Sequence, residues 1–344
     1  MDTLFLGRIR ESLLEKRQHL MNWLDHSSTQ EKDCRLGCED ESCVQPHLEV
    51  IETSLQKVEN HQLGICKVCG GKISQDLIDM DYTASICLDC MPDEDKRDLE
   101  RELDFSQKLQ HALLSPEFPA MPGMDLAVFS RPAQVLSGDY FDVLQFPNDT
   151  YGLVVADAMG HGLSASIVMT SLQTAFRTMS SESLALEEIL SRINRLYLHN
   201  SHFTIFATMV LSRFNPLTHN FTYCNAGHNP PVLFQEQYST IKWLDPTGPA
   251  VGIVEDYKIQ AASERLSPGD IVVLYSDGVT EAINPQEEEF GRERLAELIQ
   301  RNYDRDPQGL INIIKQALHS FVNGQPIMDD TTLVVCKVQT QSQV

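Results

Sequence analysis

Four short acidic signatures carry the chemistry of this chain: Ser137-Gly138-Asp139-Tyr140-Phe141-Asp142, Ala156-Asp157-Ala158-Met159-Gly160-His161-Gly162, Ser276-Asp277-Gly278 and Asp329-Asp330-Thr331-Thr332. Carboxylates set beside Gly or small residues, each at the end of an apolar run, suit strand ends that gather hard oxygen ligands. Two divalent ions held that way, about 3.5–4 Å apart, neutralise phosphoryl oxygens and activate water. Phosphate monoesters need such help because they hydrolyse extremely slowly unaided. Asp157 is the natural bridging ligand, with the backbone carbonyl of Ala158 beside it, and Asp139, Asp277 and Asp329 complete the cage. Any one motif reads equally well as a turn or a cap; four of them in one chain are harder to reduce to that. Carboxylates at EF-hand spacing are absent, and so is a Gly-x-x-x-x-Gly-Lys loop, which sets aside a structural calcium site and a P-loop enzyme.

A second constellation lies upstream. Cys66-Lys67-Val68-Cys69 and Cys87-Leu88-Asp89-Cys90 are two Cys-x-x-Cys pairs separated by 17 residues. Four thiolates so arranged suit one structural Zn²⁺ in a tetrahedron, and Gly70-Gly71 permits the tight turn after the first pair. Of nine cysteines, seven fall between Cys34 and Cys90, an uneven and odd set that fits metal binding in a reducing cytoplasm better than a disulfide framework. Cys34, Cys38, Cys43 and His47 have two readings, a second metal or oxidant-sensing site and unpaired cysteines in a polar loop.

Around these motifs the chain must supply scaffolding. Its 344 residues have room for one large and one smaller domain. A formal charge of −22 disfavours nucleic acid and anionic lipid as direct partners. No apolar stretch approaches the roughly 20 residues of a membrane helix, and Met1 to Arg10 shows no secretory core, so the expected location is the cytoplasm. Leu6, Leu13 and Leu20, aided by Ile9 and Trp23, predict a helix over 3–26. Leu48, Ile51, Leu55 and Val58 predict another over 46–60. Together they suggest an antiparallel hairpin, spanning 1–62, ahead of a zinc finger over 63–92. The segment Asp93 to Asp104, with seven acidic and three basic residues, reads as the start of a linker helix over 93–115 that Pro116 and Pro119 end.

Within a second domain over 116–340, strand-like runs dominate from 124 on: Leu126–Phe129, Leu153–Ala156, Ile205–Leu211, Phe221–Cys224, Ile271–Tyr275 and Leu333–Val338. Helical stretches at about 162–179, 185–199, 290–301 and 307–322 lie among them. The pattern predicts an α+β layered domain and no regular βαβ alternation.

Two resemblances follow. The hairpin leading into Leu63-Gly64-Ile65-Cys66-Lys67-Val68-Cys69-Gly70 resembles the DksA/TraR zinc-finger family over residues 3–92, although the tip from Asp33 to Cys43 lacks that family's Asp-x-x-Asp-x-Ala pattern. Residues 100–340 resemble the SpoIIE/RsbU branch of the metal-dependent protein serine/threonine phosphatases. The likeness runs through Pro132-Ala133, the first two acidic signatures, Asn225-Ala226-Gly227-His228-Asn229-Pro230, Tyr275-Ser276-Asp277-Gly278-Val279-Thr280-Glu281-Ala282 and Asp329-Asp330-Thr331-Thr332, in the family's order.

This second resemblance implies a four-layer αββα sandwich with two Mn²⁺ or Mg²⁺ ions at one end. It also implies hydrolysis of phosphoserine or phosphothreonine on a protein, typically a STAS-type anti-anti-sigma factor, with signals relayed through the linker helix. Asp139, Asp157, Asp277 and Asp329 match the metal-binding aspartates, with Asp330 as the neighbour competing with Asp329. Ala158 stands where relatives carry Gly, and only its carbonyl is needed. Asp157 and Asp277 are the expected catalytic positions, joined by His161, which is either a general acid or a structural residue. Asp142 is placed behind the ligands and His228 in a turn; the phosphate-binding Arg of eukaryotic relatives has no counterpart, and Arg131 receives no role. Homodimerisation through the hairpin or linker helix is the expected assembly. The competing function class is a catalytically silent scaffold or a DksA-like modulator bound to RNA polymerase.

Overall fold

The computed structural model describes residues 6–7, 9–11, 13–14, 17–18, 21, 45–74, 77–78, 82–114, 118–133, 135–158, 162–200, 206–325 and 329–339. They divide into two compact units, Met1–Glu102 and Leu103–Val344.

In the first unit the described residues between 6 and 21 are helical, and helix α1 spans Gln45–Glu59. The two apolar stripes meet as the periodicity requires: Leu13 packs with Ile51, Leu55 and Val58, and Arg17 pairs with Glu52 at 3.6 Å. The same cluster takes in Leu63, Cys66, Ile73 and Cys87, so the helices and the cysteine pairs share one small core. Helix α2, Asp93–Leu114, carries three acidic residues in its first turn, where the helix dipole favours them.

The second unit is built on two antiparallel five-stranded sheets. The first runs β1 (Met124–Arg131), β10 (Thr331–Val338), β9 (Ile271–Tyr275), β6 (Val232–Gln235), β7 (Thr240–Trp243). The second runs β2 (Asp139–Phe146), β3 (Thr150–Ala158), β4 (Ala207–Asn215), β5 (Asn220–Ala226), β8 (Ala262–Arg265). Val155, Val210 and Phe214 of one sheet meet Val272, Leu274 and Cys336 of the other in a core between them. On the outer side of the second sheet, α3 (Gly162–Ser180) and α4 (Leu186–Asn200) bury Met169, Leu172, Ile189 and Ile193. Outside the first, α6 (Arg292–Arg301) and α7 (Pro307–Val322) bury Leu295, Leu310 and Ile314. A short helix, α5 (Asp277–Thr280), follows β9 directly. The result is the expected four-layer αββα sandwich, driven by burial at roughly 1.5–3 kcal/mol per large apolar side chain.

Central strands are covered on both faces, which is why β9 and β10 read as continuous apolar runs and not as alternations. β2 was absent from the predicted strands. Its sequence opens on Asp139 and carries Asp142 at mid-strand, yet both are buried. Among the described residues no helix is long and apolar enough to cross a membrane.

Candidate functional site

The four acidic signatures converge at one end of the sandwich. Asp139 is the first residue of β2 and Asp157 the last but one of β3, and the two are direct partners across the antiparallel ladder. Ala158 ends β3, its N–H donating to the Gly138 carbonyl at 3.1 Å. From the facing sheet, Asp277 opens α5 at the end of β9, and Asp329-Asp330 stand just ahead of β10. The ends of β9 and β10 are tied together: Ser276 N–H donates to Thr332 O at 3.1 Å, Thr332 N–H to Ser276 Oγ at 2.9 Å, and Ser276 Oγ to Asp330 O at 3.2 Å. At this crossing a Cβ on Gly278 would fall 2.1 Å from the Asp330 carbonyl oxygen, so only glycine fits.

The two adjacent aspartates have different environments. The buried Asp330 carboxylate accepts from Ala133 N–H (2.7 Å), Ser137 Oγ (2.9 Å) and Gly138 N–H (2.5 Å), stitching the loop before β2 to the strand end before β10. Asp329 is exposed, accepts from Asp330 N–H at 2.8 Å, and faces Asp157, Asp277 and Glu281 electrostatically. Sequence alone ranks them only by preference; in the structure the three hydrogen bonds accepted by Asp330 make it a brace.

Electrostatically the site is a set of like charges taken out of water. Burial, then the charges of Asp139, Asp277 and Asp329, push Asp157 up to about 9. Burial pushes Asp139 up to about 7 against the opposing hydroxyls of Thr332 and Ser276, and Asp277 is driven up to about 6 by burial, then by Asp329 and Glu281. The buried Oδ2 of Asp139 has no hydrogen-bond partner. Carboxylates so crowded call for cationic company, and a divalent ion is what this donor set fits. No three of these carboxylates have oxygens mutually within 4.8 Å. That spacing suits ions that keep several waters and take one or two carboxylates each.

Three supports on the helices, Gln110, Gln173 and Arg177, escaped sequence reading. Gln110 of α2 grips the Ser137 backbone twice, Oε1 accepting its N–H at 3.0 Å and Nε2 donating to its carbonyl at 2.7 Å. Gln173 of α3 donates to the Leu113 carbonyl. Asp142 faces α3, accepting from Arg177 Nε (2.8 Å), Tyr140 Oη (2.9 Å) and Val143 N–H (2.8 Å), so its carboxylate braces a helix. His228 does more than shape a turn: its ring spans from the Thr208 hydroxyl (2.8 Å) to the Tyr275 carbonyl (3.1 Å). Thr208 is the ladder partner of Asp157 and Tyr275 precedes Ser276-Asp277, so this ring ties both halves of the site. Because the carbonyl only accepts, Nε2 carries the proton and Nδ1 accepts from Thr208. Burial holds His228 down at about 4. His161 lies outside the described residues.

The cysteine pairs form a separate centre. The Sγ atoms of Cys66, Cys69, Cys87 and Cys90 lie within 4.8 Å of one another. Cys69 and Cys87 sulfurs are 3.8 Å apart, about the edge of a tetrahedron with Zn–S near 2.3 Å. Backbone N–H groups of Cys87 (3.3 Å) and Val68 (3.4 Å) point at Cys66 Sγ, and that of Gly71 at Cys69 Sγ (3.3 Å). The N–H donors from Cys87 and Cys69 hold Cys66 down at about 6, while sharing between sulfurs pushes Cys90 up to about 12. This donor set is compatible with zinc. Cys34, Cys38 and Cys43, and the side chain of His47, lie outside the described residues.

Residues 147–339 match the family described as Stage II sporulation protein E (SpoIIE). Phosphoserine phosphatase RsbU of Bacillus subtilis is 28% identical over 242 residues, covering 70% of this chain and 71% of that protein. A structure of the RsbU and RsbW domains of a Mycobacterium tuberculosis protein superposes with a TM-score of 0.57 at 28% identity, over 66% of this chain and 63% of that one. The SiaA-PP2C domain of Pseudomonas aeruginosa shares the fold, with a TM-score of 0.60 at 17% identity over 70% of this chain and 98% of the domain. With more than half its length matched, the chain belongs to the SpoIIE family of PP2C-type protein phosphatases.

Proposed function

We propose that this phosphatase hydrolyses phosphoserine or phosphothreonine on a regulatory protein at a two-metal centre held by Asp139, Asp157, the Ala158 carbonyl, Asp277 and Asp329. The single observation that carries this reading is the convergence of those carboxylates from both sheets, with Asp139 Oδ2 buried and unpartnered. Two Mn²⁺ or Mg²⁺ ions, when bound, supply charge neutralisation for the phosphoryl group and lower the pKa of water. The chain's own residues set the geometry. The β2–β3 ladder holds Asp139 against Asp157, the Ser276–Thr332 ties aim Asp277, and Asp330 fixes the loop ahead of Asp139.

The proposed substrate is a phosphorylated anti-anti-sigma factor of the STAS type. The relative RsbU is itself named a phosphoserine phosphatase, and the mycobacterial structure carries an RsbU and an RsbW domain in one protein. Zn²⁺ on Cys66, Cys69, Cys87 and Cys90 would give the first unit its fixed shape, and that region regulates the phosphatase through α2. His161 stays a proposed general acid, and self-association through the hairpin or α2 the proposed assembly.

The test is hydrolysis of a generic phosphate ester and of a phosphoserine protein by the pure protein, with and without Mn²⁺, beside Asp157→Ala. Activity that requires Mn²⁺ and disappears in the variant is expected. Inactivity of both the full chain and residues 115–344, with metal bound, would leave a scaffold instead.

A further inference from the structure

Beside the carboxylates, a cavity of about 600 Å³ opens between β1, α5 and α7, and nothing in the chemistry above uses it. Its size falls within the range of pockets that hold ligand groups. One end is formed by Asp329, Gly278 and Glu281, so the groove is continuous with the proposed reaction centre. Much of its lining is apolar: Phe129 of β1, Leu318 and Val322 of α7, and Ala282 and Ile283 after α5, Ile283 being 43% exposed.

The rim is basic. Arg131 follows Phe129 by two residues, so both face α7, and its ladder partner Thr331 is two residues from Asp329. Lys315 sits one turn ahead of Leu318 and His319, its Nζ 4.1 Å from the centre of the Phe129 ring. Among the described residues neither Arg131 nor Lys315 makes a salt bridge, so both charges face the groove uncompensated by a carboxylate partner. In a chain with 49 acidic and 27 basic residues, Arg131 and Lys315 put positive charge on a groove whose other end carries Glu281 and Asp329. An acidic side chain is repelled by most of this surface and by the Glu281–Asp329 end, and attracted to the Arg131–Lys315 stretch.

Resting on the phosphatase reading, we propose that this groove receives the stretch of substrate protein next to the phosphorylated residue. It selects a large apolar side chain for the floor and an acidic one for Arg131 and Lys315. The metals and aspartates then act on the phosphate, and the groove decides which phosphoproteins reach them. Binding energy of this kind, remote from the reacting bond, separates protein substrates from small esters.

The full-length protein with Mn²⁺ is assayed on an aryl phosphate and on phosphoserine peptides carrying Leu or Ala beside the phosphoserine, with and without a nearby Asp. The wild type is expected to prefer the Leu–Asp peptide over the Ala peptide by about 10-fold or more in kcat/KM, mostly through KM. Val322→Asp should abolish the Leu preference, and Arg131→Gln with Lys315→Gln should abolish the Asp preference. Both should leave aryl phosphate turnover within about 2-fold, which also reports that the variants fold. Equal use of the Leu and Ala peptides by the wild type, or a parallel loss on aryl phosphate and peptide, would overturn the groove.

Fluorescence anisotropy of the labelled Leu–Asp phosphopeptide separates the two readings. Binding that Val322→Asp weakens about 10-fold, in a protein inert toward every ester, would keep the groove and sink the phosphatase reading. Binding indifferent to all three substitutions would sink the groove whatever the activity.

Discussion

In the cysteine knuckle, four sulfurs from two short loops stand within 4.8 Å of one another, with backbone N–H groups already aimed at them. In the aspartate site, the carboxylates arrive from four places spread over about two hundred residues, no three of them so close, and burial raises the cost of their charge. The knuckle's backbone geometry suits one tightly held ion, as the proposed structural zinc requires. The aspartate site is braced from outside, by Asp330, Ser137, Ser276 and His228, and leaves its central carboxylates under mutual repulsion. The proposed role, admitting and releasing a phosphate, is served by that looseness.

Removing one group from each centre should therefore break different properties. Asp157→Asn is expected to lower kcat on a phosphate ester by at least about 10³-fold while leaving the melting temperature of the metal-free protein equal or higher, because a carboxyl that folding forces to take up a proton is gone. Cys66→Ser should do the reverse. Structural zinc in small domains contributes about 10–16 kcal/mol of apparent binding energy, so loss of one thiolate should unfold the first unit and release its zinc. Ester turnover should change far less than in Asp157→Asn, by no more than about 10-fold, and whatever change occurs reports the proposed regulation through α2. Zinc stoichiometry, far-UV circular dichroism and steady-state rates on the two variants read this directly. Equal damage to fold and rate by both would erase the contrast.

The same contrast decides what was legible in the sequence. Cys-x-x-Cys pairs are local, so their spacing alone implies the geometry found for Cys66, Cys69, Cys87 and Cys90. Strands buried on both faces, such as β9 and β10, announce themselves as apolar runs. The edge strands β7 and β8 are short and alternate with solvent, and neither was foreseen. β2 was hidden because its buried Asp139 and Asp142 look like turn residues until their partners are known. That Asp330 is taken up as a brace was illegible in principle: it depends on Ala133, Ser137 and Gly138 lying almost two hundred residues upstream. Gln110, Arg177 and His228 act through tertiary contacts that no local motif encodes.

His228 sharpens the comparison through pH. Its folded pKa of about 4 lies below the ordinary 6.5, so between those values the unfolded chain binds more protons than the folded one. The stability this neutral ring contributes is fully present above pH 6.5 and is lost as pH falls toward 4. Across that window the loss amounts to roughly 2–3 kcal/mol. His228→Gln should flatten that acid slope in the second unit, and subtracting the two urea-unfolding series removes titrations common to both proteins. Parallel slopes would mean that the ring already carries its charge in the folded state. The first unit has no such ring among its described core residues, so its acid sensitivity should be unchanged by this substitution.

The smallest effect tests how far the aspartate site leans on a distant brace. Gln110 makes both of its hydrogen bonds to the Ser137 backbone, and Ser137 Oγ in turn donates to Asp330 and accepts the Asp139 N–H at 3.1 Å. A carboxamide on α2 thus sets the position of the loop that launches Asp139. Two net hydrogen bonds are worth about 1–2 kcal/mol together. If that energy holds the loop in its metal-ready position, Gln110→Ala should raise the Mn²⁺ concentration for half-maximal ester turnover by about 5–30-fold, with the rate at saturating Mn²⁺ nearly unchanged. Gln110→Glu keeps the acceptor for Ser137 N–H and loses the donor, so it should fall between wild type and Ala. Zinc held by the knuckle should not respond to either substitution, because its sulfurs are oriented by their own loops. A loss of rate at saturating Mn²⁺ with no change in metal requirement would instead place Gln110 in substrate approach, and the brace would then be the Asp330 carboxylate alone.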